Sequence, residues 1–236
     1  MGCRMLIATG ELPLSQLLDG FRLMALNRNE GHEYRGDPEH IHGDGWGTVT
    51  GRAGRFESYK SVIPCWQDSK FADLYETDPD FIMLHARRAS PGVAVKSEFT
   101  HPFEEDGWYF CHNGMIHDFE VKRSSDSQQL FALVVENLRQ CRNVTESISR
   151  TVKSLNDYSA LNFMLCKDDQ LYVLNMYGKR GAKTPNYFTI KYLQSDDYTI
   201  IASERLHGCG EPWQEMQNGT LLTVAMPDRR IQFCGV

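Results

Sequence analysis

Hydrophobic positions recur along this chain at two different spacings, and the changes between them mark its elements. Residues 5–9, starting at Met5, form a short apolar run of strand length. Leu14, Leu17, Leu18, Phe21 and Met24 then repeat at helical spacing, which predicts an amphipathic helix over residues 14–26. Residues 27–44 are polar and rich in turn formers, and predict a long loop of the kind that often carries function. Residues 46–50 and 56–60, parted by Gly51 and Gly54, predict a hairpin. Residues 81–86 form a compact apolar strand, and residues 108–111 form another that runs into the turn signal His112-Asn113-Gly114. The period then lengthens. Leu130, Phe131, Val134 and Leu138 predict a helix capped by Asp126 or Ser127, and Val144, Ile148, Val152 and Leu155 predict a second. Beyond Asp157 the pattern returns to strands. Residues 161–165 and 171–175 form a hairpin about Lys167-Asp168-Asp169, followed by 187–192, 199–202, 221–226 and 231–233. Runs of strands separated by a run of helices predict an α+β layered fold rather than a doubly wound parallel sheet.

Composition narrows this picture. With 236 residues the chain is long enough for one sizeable core, and no Gly/Ser/Pro-rich linker divides it, so a single domain over residues 1–236 is expected. The formal net charge of −6, with only isolated basic pairs such as Arg87-Arg88 and Arg229-Arg230, argues against a nucleic-acid partner. No apolar run is long enough to cross a bilayer and no export signal is evident, so no membrane association and a cytoplasmic location are expected. Met1-Gly2 invites a myristoylation reading, but Leu6 stands where that motif needs Ser or Thr. The sequons at Asn143 and Asn218 are read as chance matches. Seven widely spaced cysteines with no C-x-x-C pair suit a reducing compartment.

Five stretches are too particular to serve only as core or turn. They are Cys3-Arg4-Met5-Leu6, residues 42–47 (HGDGWG), residues 85–92 (HARRASPG), residues 100–103 (THPF) and His112-Asn113-Gly114, with Asp126 following. Together they fit a site that hydrolyses an amide. A thiol near a chain start can use an α-amino group, pKa about 8, as its base. The Asn113 side chain and the Gly114 N–H suit an oxyanion hole. Arg87 has the planar fork that grips a carboxylate, and Asp126 suits an ammonium. A substrate carrying both charges is an amino acid. Taken one at a time, each of these residues has an ordinary role in core, turn or cap. His32, His40, His42 and Asp44 lie close enough in sequence to raise zinc, but His40 and His42 sit two apart in a loop with no matching distant pair, so no metal is expected.

In this order and company the motifs resemble the class II glutamine amidotransferase domain, one of the N-terminal-nucleophile hydrolases, and in particular its compact stand-alone branch. The resemblance implies a four-layer αββα sandwich. It implies Cys3 as nucleophile, Asn113 and Gly114 as oxyanion hole, Arg87 and Ser90 at the glutamine α-carboxylate, and Asp126 at its α-amino group. His101 and Asp44 match supporting positions, and residues 202–204 match a family-like Ala-Ser-Glu. No metal or organic cofactor is implied. The implied substrate is glutamine or another γ-glutamyl compound, and the implied partner is a separate synthase that accepts ammonia; the alternative is a non-catalytic subunit that binds an amino acid. Whether the chain forms a homo-oligomer is left open. Three departures stand out. Pro91 replaces a histidine of the synthetase-type members, and residues 42–47 replace their Arg-Gly-x-Asp/Glu-Ser-Ala-Gly signature. Gly2 lies between Met1 and Cys3, where the family has a free amine. An added or misplaced start, further trimming, or loss of the amine-based mechanism would each account for it.

Overall fold

The computed structural model of the chain describes residues 2–90, 92–120, 124–141 and 143–236. Two antiparallel sheets form its centre. The first half contributes β1 (Arg4–Gly10), α1 (Leu14–Ala25), the hairpin β2 (Trp46–Arg52) and β3 (Arg55–Ser61), α2 (Ser69–Asp73), β4 (Phe81–Ala86), β5 (Phe103–Glu105) and β6 (Trp108–Asn113). Then come α3 (Asp126–Gln140) and α4 (Val144–Lys153), followed by the hairpin β7 (Asn162–Lys167) and β8 (Gln170–Asn175). The chain ends with α5 (Pro185–Phe188), β9 (Lys191–Gln194), β10 (Tyr198–Ala202), β11 (Gln214–Glu215), β12 (Thr220–Ala225) and β13 (Arg230–Gly235). One sheet has the order β11-β9-β10-β1-β4-β2-β3 and the other β13-β12-β8-β7-β6-β5.

Strand alternation assigns the layers. Met5 and Ile7 of β1 point between the sheets and join Met83, Cys111, Met164, Cys166, Val173, Leu222 and Val224 in one buried cluster. Leu6 and Ala8 point the other way, onto Leu17, Leu18, Phe21 and Met24 of α1 and Phe71 of α2. On the far side Phe110, Phe163 and Leu165 pack against Leu130, Phe131 and Val134 of α3 and Ile148 and Val152 of α4. The result is the four-layer αββα sandwich, with each sheet burying both faces. That explains why β1, β4 and β7 are apolar along almost their whole length.

Two sequence expectations need correction, and the sharing of strands between the sheets lay outside what the sequence reading addressed. The cap of α3 is Ser125 rather than Asp126 or Ser127; its hydroxyl accepts the Gln128 N–H and the Gln128 side chain accepts the Ser125 N–H, a reciprocal capping box. Asp126 thus sits in the first turn of α3, where its carboxylate accepts the N–H groups of Ile116 and Ser127 instead of capping the helix. Residues 187–192 are not one strand. Pro185 opens the short α5, the Glu33 carboxylate accepts the N–H groups of Asn186 and Tyr187 from a distant loop, and β9 begins only at Lys191. The two sequence runs of strands also do not correspond to the two sheets: β9, β10 and β11 from the C-terminal run flank β1. The short elements α2, β5 and β11 leave too brief a pattern to be predicted.

Candidate active site

Cys3 stands one residue before β1, on the face that continues Met5 and Ile7, and so reaches the gap between the two sheets at their end. Alternation along β6 puts Asn113 on the face of Cys111, opposite it. The Cys3 backbone N–H donates to Asn113 Oδ1 at 2.7 Å, which spends the oxygen end of the amide and leaves Nδ2 for another acceptor. The Cys3 thiol lies 3.8 Å from the Arg88 carbonyl oxygen. Gly114 follows Asn113 against the chain at Ala160: a Cβ there would lie 1.9 Å from the Ala160 carbonyl oxygen, so only glycine lets this backbone come so close. Gly2 is held as tightly. Tyr187 Oη donates to its carbonyl at 2.9 Å, and a Cβ on Gly2 would meet Asn113 Oδ1 at 2.3 Å.

A small cavity of about 30 Å³, room for one or two waters, opens beside the thiol. Arg87, Arg88, Ser90, His101, His112, Gly114 and Asp126 line it together with Gly2 and Cys3. Arg87 follows the end of β4 and is 4% exposed. Its backbone is locked, since its carbonyl accepts the Asp44 N–H at 3.0 Å and its N–H donates to Gly45 O at 2.8 Å. Asp44 Oδ2 accepts the Ala89 N–H at 2.8 Å, so this carboxylate positions the strand exit rather than a ligand. The Arg87 guanidinium donates from Nη2 to the Ala94 carbonyl at 3.2 Å, and its buried Nη1 has no hydrogen-bond partner among the described residues. Asp126 accepts the Ile116 N–H at 3.0 Å and the Ser127 N–H at 2.9 Å. Pro91 lies outside the described residues.

Burial controls the electrostatics here. It pushes the Cys3 thiol up from its ordinary value, with the Arg87 charge pulling the other way, so the thiol is neutral near pH 7 and needs a base. Burial drives His101 well below the usual histidine range and His85 down to about 3. The His101 ring lies 4.1 Å from that of His85 and 4.3 Å from that of Phe103, with neither nitrogen bonded; it is wedged apart from any proton relay to Cys3. His112 Nδ1 is 2.9 Å from Ser127 Oγ, which ties β6 to the start of α3.

Behind the nucleophile lies a cluster that sequence reasoning missed. Arg4 Nε pairs with Glu204 Oε1 at 2.8 Å, and the guanidinium lies 3.8 Å over the Tyr187 ring, with further contacts to the Tyr187 carbonyl at 3.2 Å and to His32 at 3.0 Å. Burial opposes the Glu204 charge, but Arg4, His32 and the Glu30 N–H outweigh it and hold the carboxyl at about 2. The Ala-Ser-Glu signal was visible in sequence, since Ser203 Oγ accepts the Met5 N–H and Glu204 holds the adjacent Arg4. Tyr187 gave no such signal. The histidines raised for zinc have other partners: His32 meets Arg4, His40 meets Asp37, and His42 meets Tyr187 Oη and the Ala25 carbonyl. Among the described residues no three histidines, cysteines or acids are grouped to hold a metal. No described helix is long and apolar enough to cross a membrane. A larger cavity, about 610 Å³, lies at the other end of β1 around Thr9, Phe56, Asp80 and Met226, and no described cysteine or histidine lines it.

Comparison with known proteins bears on this geometry. The profile of the family described as glutamine amidotransferases class-II matches residues 26–178, a span that leaves out both Cys3 and Tyr187. No curated protein matches the chain in sequence. Glutamine phosphoribosylpyrophosphate amidotransferase from B. subtilis superposes with a TM-score of 0.64 at 13% identity, over 99% of this chain and 49% of that one. A glutamine aminotransferase class-II domain protein from Silicibacter pomeroyi superposes with a TM-score of 0.61 at 17% identity, over 99% of both chains. The chain thus spans about half the length of the B. subtilis enzyme and all but the whole of the S. pomeroyi protein. At these identities the likeness is one of fold, and it is the profile, covering more than half the sequence, that gives the family. This chain belongs to the class-II glutamine amidotransferases.

Proposed function

We propose that the chain is an amidohydrolase that releases ammonia from glutamine, or an amine from another γ-glutamyl compound, through a thioester on Cys3, with residues 1–236 acting as one domain. The observation that carries this reading is the meeting of Cys3, Gly114, Arg87 and Asp126 at one small cavity, from four separate parts of the chain, with Asn113 bonded to the Cys3 N–H beside it. In this mechanism Cys3 Sγ bonds to the side-chain carbonyl carbon. The developing oxyanion is taken by Asn113 Nδ2 and the Gly114 N–H. The C–N bond then breaks as the leaving nitrogen takes the thiol proton. Water cleaves the thioester, releasing glutamate and restoring the thiol. Arg87 and Ser90 hold the α-carboxylate, Asp126 holds the α-ammonium, and Asp44 and His101 support the walls. A separate synthase is the natural acceptor for free ammonia, and the chemistry calls for no cofactor.

The base is the open step. As an α-amine, the Cys3 nitrogen would titrate near pH 8 and could shuttle the proton; linked to Gly2 it is an amide with no basicity. A chain beginning at Cys3 should therefore hydrolyse glutamine, and one retaining Gly2 should bind without turnover. The placement of Gly2 on the cavity wall favours that second, binding-only reading for the longer form. Intact mass, paired with ammonia release from glutamine, decides between them. Ordinary turnover by a Cys3→Ala protein sinks the thioester reading altogether.

A further inference from the structure

The residue ahead of the nucleophile ends a chain of hydrogen-bond contacts that lacks a proton. His42 Nδ1 lies 3.3 Å from the Ala25 carbonyl oxygen, and His42 Nε2 lies 3.1 Å from Tyr187 Oη. Tyr187 Oη in turn lies 2.9 Å from the Gly2 carbonyl oxygen. Each contact needs one proton. The two carbonyls have none to give, the Tyr187 hydroxyl has one, and a neutral imidazole has one. Three contacts therefore share two protons, and in one of them two acceptors face each other.

A second proton on His42 would complete the chain, but its surroundings oppose it. Burial drives His42 well below the ordinary histidine range, and the Arg4 charge pushes the same way against the opposing pull of Glu204. The Tyr187 ring is clamped as well. It is buried, the Arg4 guanidinium lies 3.8 Å over it, and Arg4 Nη1 donates to the Tyr187 carbonyl at 3.2 Å.

The shortage disappears when the group beyond Tyr187 Oη is a donor rather than a carbonyl. Tyr187 then gives its proton to His42 Nε2, His42 gives its Nδ1 proton to Ala25, and Tyr187 Oη accepts. The Cys3 nitrogen is such a donor, since it is bonded to the same carbon as the Gly2 oxygen, and Asn113 Oδ1 already accepts from it at 2.7 Å. The space ahead of that nitrogen is tight: a Cβ on Gly2 would lie 2.8 Å from Tyr187 Cε1 and 2.3 Å from Asn113 Oδ1.

We infer that Tyr187, backed by His42, is a positioning residue for the free α-amine of Cys3, accepting one of its hydrogens while Asn113 accepts another. The inference rests on the Cys3 reading above. A neutral primary amine has two hydrogens and one lone pair. With both hydrogens held, the lone pair is left for the thiol. It takes the Sγ proton to give ammonium and thiolate, and the ammonium later passes that proton to the departing nitrogen.

Tyr187→Phe keeps the ring under Arg4 and removes only the hydroxyl. It is made in two forms of the chain, one beginning at Cys3 and one retaining Gly2. In the first form kcat for glutamine should fall about 10-fold or more with KM changed less than about twofold, because the base and not the substrate loses its hold. The melting temperature should fall by about 6 °C in the form beginning at Cys3 and by about 3 °C in the form retaining Gly2, two hydrogen bonds lost against one. His42→Gln, whose amide offers a donor and an acceptor as a neutral imidazole does, should keep kcat within about threefold. His42→Leu carries the paired melting comparison if Tyr187→Phe does not fold. An unchanged kcat in Tyr187→Phe, a loss that falls on KM, or an equal fall in melting temperature in the two forms overturns the inference. No turnover by the unaltered chain beginning at Cys3 sinks the Cys3 reading instead, and the paired melting temperatures then decide whether Tyr187 receives the amine.

Discussion

Arginines at the ends of different strands near the nucleophile are treated in opposite ways. Arg4, fully buried, is met on every side, by Glu204, His32, the Tyr187 carbonyl and the Tyr187 ring. Arg87 and Arg88 each keep a buried Nη1 with no hydrogen-bond partner among the described residues. Burial of a guanidinium is costly in both places. What separates them is charge pairing: a buried carboxylate, Glu204, pairs with Arg4 at 2.8 Å, which marks Arg4 as structural.

The comparison can be broken at either side. The largest expected effect is on the chemistry: Cys3→Ala should lower glutamine turnover by roughly 10⁴-fold, with little change in melting temperature, as for removal of any covalent nucleophile. On the structural side, Arg4→Met should destabilise the fold by about 3–5 kcal/mol near neutral pH, because it takes from the buried Glu204 its arginine counter-charge and leaves His32, Asn29 and the Glu30 N–H to hold it. Urea titrations measure this directly.

The same pair has a pH signature. The Glu204 carboxyl is held at about 2, below its ordinary 4.5, so the folded state binds this proton less readily than the unfolded state. Its contribution is fully present above about pH 4.5 and is lost as the pH falls toward 2. In Arg4→Met this limb should weaken, with His32 and the Glu30 N–H keeping part of it, and the destabilisation should shrink on acidification as Glu204 protonates. An unchanged acid limb would mean that Arg4 does not govern the carboxylate.

Arg87→Met should invert the Arg4 result. It should raise KM for glutamine roughly 30-fold, the scale of one lost charge-assisted contact, while leaving stability equal or slightly higher, since an unsatisfied charge has been removed. A clear drop in melting temperature would assign Arg87 to the scaffold. The smallest effect belongs to the support beneath Asp126: Ser125→Ala removes the cap of α3 and should cost about 1 kcal/mol, with a mild rise in KM.

Much of this molecule was legible before its fold was known, for an identifiable reason. The extents of β4, α1 and the β7–β8 hairpin follow from local periodicity, because each element buries a face whose spacing its own geometry sets. The cap of α3 was missed by a single residue because Ser125 and Asp126 both have capping chemistry, and only the reciprocal bonds with Gln128 choose between them. Residues 187–192 were misread because their helical turn is set by Glu33, more than 150 positions away in sequence.

The site divides along the same line. Its residue types and their order along the chain, from Cys3 to Asp126, were enough to suggest amide chemistry and a family, since reacting groups must be of particular kinds wherever they lie. Sequence could not supply the satisfaction of each group. Nothing in the pair Arg87-Arg88 tells that each keeps an Nη1 with no hydrogen-bond partner among the described residues, and nothing in Arg4 tells that Glu204 will pair with it. Hydrogen bonding and charge pairing act over a few ångströms between residues that are remote in the chain. They exist only once two sheets have closed on each other, and that closure is what separates the arginines that hold this protein together from those left facing its cavity.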